Sequence, residues 1–179
     1  MQKNILILIW LLCRVAIASE PASVPLDRNQ SVINTFEVMC NLELPNFSHI
    51  DAKATAMGMH LQNEGTKPAA NGLVIRHKAW YGSLSTGMFA LILDEMSGPK
   101  GTATSCAIAA QVAEADAFRV AAVDTLKLSP DHAQFGQDGA RSSEWPGVSG
   151  PGTTLILRDL VSAGKPSVML KLVSMKPLQ

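Results

Sequence analysis

The chain predicts an α+β fold, an antiparallel sheet of about five strands with helices packed mainly on one face. Three observations predict it. Two apolar stripes at helical spacing precede the first β-rich stretch. Five segments have strand composition, rich in Val, Ile, Leu and Thr or in alternating small residues. Most strand neighbours are separated by short Gly- and Pro-containing turns, which imply antiparallel pairing with helices set to one side.

In chain order, residues 31–40 carry Val32, Phe36 and Met39 with Cys40 at helical spacing, with Asn29 or Ser31 placed to cap the start. A second helix starts at Ser48-His49-Ile50-Asp51, where the hydroxyl accepts a backbone N–H and the acid reaches back. Ile50, Ala54, Met57 and Leu61 form its stripe, and Gly65 supplies a left-handed stop. Residues 66–72 then connect to a strand over 73–81. On it Ile75, His77 and Ala79 share one face, and Val74, Arg76, Lys78 and Trp80 the other.

Residues 86–94 have an apolar centre that suits a strand buried on both faces, although a short buried helix fits the period as well. Ser97-Gly98-Pro99-Lys100-Gly101 turns the chain. Over 102–112, Ala103, Ser105, Ala107 and Ala109 make a small face, and Thr104, Cys106, Ile108 and Ala110 the other. The small face is expected to receive the next helix in the chain. That helix begins at Glu114 or Asp116, carries Phe118, Ala122 and Leu126 inward, and stops before Ser129-Pro130. Residues 131–152 read as irregular, with Phe135, Trp145 and Val148 as isolated anchors and a turn or short hairpin at 134–141. Strands at 153–159 and 168–175 close the chain as a hairpin.

The N-terminus has its own logic. Lys3 is followed by an unbroken apolar run from Ile5 to Leu12 and by Ala16-Ile17-Ala18, the pattern of a secretory signal peptide cut after Ala18. The run is short of the roughly 20 apolar residues that span a bilayer, and Arg14 puts a charge two residues past its end. The expected organisation is a signal peptide over 1–18, a flexible lead over 19–30 and one domain over 31–179. The product is periplasmic or secreted, with no membrane span after cleavage. Of three cysteines, Cys13 leaves with the signal. Cys40 and Cys106 remain as an even pair in an oxidising compartment and are expected to form a disulfide.

Composition narrows the function classes. The formal net charge is +0, so no basic excess exists to hold a nucleic acid. No phosphate-cradling glycine motif occurs, and no cofactor is expected. The histidines are His49, His60, His77 and His132. On one helix His49 and His60 would stand about 16 Å apart, too far to share a metal, and no metal site is expected. Ser129, Asp131 and His132 invite a hydrolase reading, but sequence neighbours seldom assemble a triad. No catalytic residue is assigned. Asn29 and Asn46 head glycosylation sequons.

Trp80, Tyr81 and Trp145 are the candidate recognition surface, since aromatic rings at a sheet edge or loop bind sugars, peptides or proteins. The expected function is an exported, non-catalytic binding or protein-interaction domain whose partner is a protein or small ligand of the envelope or extracellular space. Two alternatives stand beside it. One is a hydrolase built around His132 or His77. The other is an accessory subunit of an envelope assembly that pairs through the edge of the last hairpin.

Overall fold

Alternation of apolar and polar residues along strands that pair in sequence order produces one sheet. The computed structural model describes residues 27–42, 45–69, 72–136, 139–162 and 164–177; the expected signal peptide and most of the lead lie outside them. The helices are α1 (Arg28–Phe36), α2 (Phe47–Ala56) and α3 (Ala115–Thr125). The strands are β1 (His60–Pro68), β2 (Val74–Leu84), β3 (Gly87–Gly98), β4 (Gly101–Gln111), β5 (Gln134–Phe135), β6 (Arg141–Pro146), β7 (Thr153–Ser162) and β8 (Lys165–Pro177). All eight join one antiparallel sheet in the order β1-β2-β3-β4-β8-β7-β6-β5.

The expectation of about five strands is therefore corrected to eight among the described residues, which are mainly β. The three additions have a common cause. β1 is exposed along its whole length, so it carries no apolar alternation and exists through its pairing with β2. Its first residues extend the apolar period of α2, which is why Leu61 and Gly65 read as helical. The helix instead ends at Ala56 with Met57 as its C-cap, and Gly58 at φ +67° turns the chain into β1. β5 and β6 lie inside the stretch that reads as irregular, and they pair antiparallel at Gln134–Ser142 and Phe135–Arg141, as the short-hairpin reading of 134–141 expects. β5 is two residues long, and β6 buries only alternate residues, Ser143 and Trp145.

The helix starts also shift. Asp27 caps α1, its carboxylate accepting from the Gln30 N–H, and Asn46 caps α2 by accepting from the His49 N–H at 3.1 Å. A π-helical turn, Glu37–Asn41, follows α1 and presents Cys40 to the sheet. Cys40 and Cys106 are joined in a disulfide with Cα atoms 5.4 Å apart, across a sequence separation of 66.

All helices among the described residues pack on one face of the sheet. Trp80, Leu91, Leu93, Ile108, Leu157, Leu170 and Leu172 point toward them and meet Ile33, Phe36, Ile50 and Phe118 in a single core. Lys78 reaches Asp51 at 2.7 Å and Glu64 at 3.3 Å, tying α2 to the β1–β2 edge. The hydrogen bond to Asp51 leads in raising the lysine pKa above its usual value.

Candidate functional site

The other face of the sheet is crossed by no helix among the described residues. Strand register lays it out in rows. Tyr81, Ala90, Ala109, Met169, Arg158 and Ser142 form one row. Ala79, Ile92, Ala107, Lys171, Ile156 and Glu144 form the next. His77, Asp94, Ser105, Val173 and Thr154 form a third, and Ile75, Met96, Ala103 and Met175 a fourth. Apolar residues thus dominate a surface that, on a one-sided antiparallel sheet, is normally polar.

The small residues Ala103, Ser105, Ala107 and Ala109 lie here, so the expectation that they receive the next helix is corrected. α3 packs against α1 and β8 on the opposite face. Phe118 and Ala122 of α3 meet the large inward residues of the sheet, where more apolar area is removed from water.

Arg158, Ser142, Glu144 and Thr154 make the β6–β7 side of this face polar, and three polar features stand nearer its centre. His77 Nδ1 lies 2.6 Å from Asp94 Oδ1, a pairing that leaves Nε2 directed away from the carboxylate. Ser105 Oγ donates to the other oxygen, Asp94 Oδ2, at 3.5 Å. The carboxylate therefore stands between imidazole and hydroxyl, whereas a Ser-His-Asp triad needs the imidazole between the other two. The third feature is Lys171, which has no ion-pair or hydrogen-bond partner among the described residues and is flanked in register by Ala107 and Ile156.

Hollows flank the face at both ends of β3 and β4. One, of about 770 Å³, is lined by Arg28, Tyr81, Ala90, Ala109 and Leu160. The other, of about 600 Å³, is lined by Leu73, Met96, Ala103 and Met175. Large apolar side chains stand exposed around these ends, among them Tyr81 at 43%, Met88 at 54% and Met175 at 61%.

The expected recognition residues separate. Trp80 is 2% exposed and Trp145 5%, so both are core residues, and Tyr81 alone of the three reaches solvent. Trp145 Nε1 donates to the Ser129 carbonyl at 3.1 Å, the partner a buried indole N–H requires.

The hydrolase candidates near His132 also separate. Asp131 pairs with the buried Arg119, whose Nη1 lies 2.9 Å away, and it accepts from Ser143. Arg119 also bonds Asp159 at 2.8 Å, Ser143 at 2.7 Å and the carbonyls of Arg141 and Leu157. Burial opposes the Asp131 charge, but hydrogen bonds from Ser143 and Arg119 and the charges of Arg119 and Arg141 outweigh it and hold the carboxyl below its usual range. This network orders the start of the 131–152 stretch and is complete without a histidine. Among the described residues no group of three or more His, Cys, Asp or Glu is arranged to hold a metal, and no helix is long and apolar enough to cross a membrane.

The pairing of His77 with Asp94 was beyond sequence reasoning, because their separation of 17 positions carries no motif. The alternation of His77 with Ile75 and Ala79 was its only signal. No family model, curated protein or solved structure matches this chain.

Proposed function

We propose that the chain is an exported, non-catalytic interaction protein that works through the bare face of its sheet. The observation that carries this reading is the run of apolar residues across β2, β3, β4, β8 and β7 with no described element over them. A sheet face of that composition is stabilised by a second layer. Export is supported by the signal-peptide pattern and by the Cys40–Cys106 bridge, which suits an oxidising compartment. The working surface moves from the two tryptophans to Ile92, Ile156, Met169 and Val173.

The test is a photo-crosslinking residue placed at Ile156 in the exporting cell, with the same residue at Val120, which is 64% exposed on α3, as the control. Adducts are expected from position 156, not from position 120, and Ile92→Lys abolishes them. Equal labelling at both positions overturns the reading.

A second reading rests on one observation, the 2.6 Å contact that orients the His77 imidazole. Asp–His pairs of this kind serve as general bases. Hydrolysis of an ester, peptide or glycoside by the purified chain, lost in His77→Ala, supports it; an inert chain removes it.

A further inference from the structure

We infer that the layer covering the bare face is a second copy of this chain, packed sheet against sheet about a two-fold axis that runs along β4. The inference rests on the proposed reading of that face and adds the identity of the partner.

Charge is the first argument. Lys171 lies on β8, on one side of β4, as an ammonium without a partner among the described residues. Asp94 lies on β3, on the other side of β4, one row further on. A two-fold axis along β4 carries β3 of one copy over β8 of the other. Asp94 then arrives above Val173, the residue level with it across Ser105. Lys171 is two residues away along that strand, about 7 Å, within the reach of a lysine side chain. The symmetry makes the pair twice, as an isologous interface demands. Aligned sheets cross at about 30°, which rotates the two groups by less than that reach.

Size is the second. Four rows on five strands cover on the order of 650 Å² in projection. A standard interface takes about 800 Å² of accessible surface from each partner, and a rough surface exceeds its own projection. At the centre, Ala107 and Ala109 allow the two sheets to approach closely.

The sheet edges are the third. β1 is polar, ends in Lys67-Pro68 and is irregular between Leu61 and Asn63, and β5 is two residues long. Such edges resist strand-to-strand association and leave the face as the route to assembly.

The experiment uses the mature, disulfide-bonded chain in sedimentation equilibrium. A dimer is expected at concentrations up to about 0.1 mM. Asp94→Lys and Lys171→Glu are each expected to weaken self-association at least tenfold. Mixed together they restore a dimer, because each mismatch then meets its complement. If Asp94→Lys fails to fold, Ala109→Cys decides the matter, since position 109 lies on the same face of β4 and is half-buried. A short bis-maleimide is expected to join two copies through position 109, not through Val120→Cys. A wild-type chain that stays monomeric overturns the inference, as does a mixture that stays monomeric or a position 109 that does not join. Dimers that form only when residues 19–26 are removed overturn it in favour of the chain's own lead. A monomeric chain that keeps its position-156 adduct with another molecule overturns the dimer alone, while loss of that adduct overturns the interaction reading with it.

Discussion

Arg119 shows what one residue does in this fold. Its side chain is 4% exposed, and its guanidinium joins α3 to β6, β7 and the segment at Asp131. Replacing it with leucine leaves the Asp131 carboxylate without its ion-pair partner, while Asp159 loses one of two and keeps Arg141 at 2.8 Å. Arg119→Leu is expected to cost about 3 kcal/mol, read as the loss in urea-unfolding free energy. The Asp131 carboxyl adds a pH dependence. Its pKa is lower in the fold than in the open chain, so its stabilisation is present above about pH 4 and is lost as pH falls through the lower folded value. Unfolding titrations from pH 6 to strong acid are expected to show a shallower loss for Asp131→Asn than for the wild type, and parallel curves would refute this. None of these partnerships was legible in the sequence. Arg119 bonds Asp131 and Asp159, 12 and 40 positions away, and no spacing in the chain marks such a pair.

Elements here are stabilised by what lies across from them. The Cys40–Cys106 bridge closes a loop of 66 residues and holds the π-helical turn after α1 against β4. Chain-entropy reasoning assigns it about 4 kcal/mol. Cys106→Ser is expected to lower the melting temperature by many degrees, and equal melting of oxidised and reduced protein would refute that. β2 and β3 meet closely at Gly82, where an added Cβ would stand 2.4 Å from the Phe89 ring. Gly82→Ala is expected to destabilise by about 1–3 kcal/mol in the same urea assay, because the ring must leave its place in the core. The helices and four of the apolar strands were readable because each carries its own period, whereas the continuous apolar run that became β3 fitted a short buried helix as well. The short hairpin at 134–141, one of two readings of that stretch, is where β5 pairs with the start of β6; β1 and the rest of β6 were not readable, because exposed or short strands bury too little to leave a pattern.

At the scale of the whole molecule, the two faces of one sheet carry different loads. Leu170 is fully buried under the helices, while Val173, on the same strand, looks to the bare side. Leu170→Ala is expected to cost about 3 kcal/mol, and Val173→Ala under about 1 kcal/mol when measured on dilute protein. Equal costs would mean that both faces are covered within a single chain. The same topology removes the edge-pairing reading of the last hairpin. β8 lies between β4 and β7, and β7 between β8 and β6, so neither has a free edge.

The sequence by itself determined what depends on neighbours along the chain. It set the periods of the helices, the alternation of the apolar strands, the export pattern and the even pair of cysteines. Only the tertiary structure decided which strands lie side by side, which side of the sheet the helices cover, and that His77 meets Asp94 while Asp131 meets Arg119. Those outcomes come from burying apolar area and pairing polar groups between segments far apart in the chain. No local pattern records that energy, because it exists only once the layers have formed.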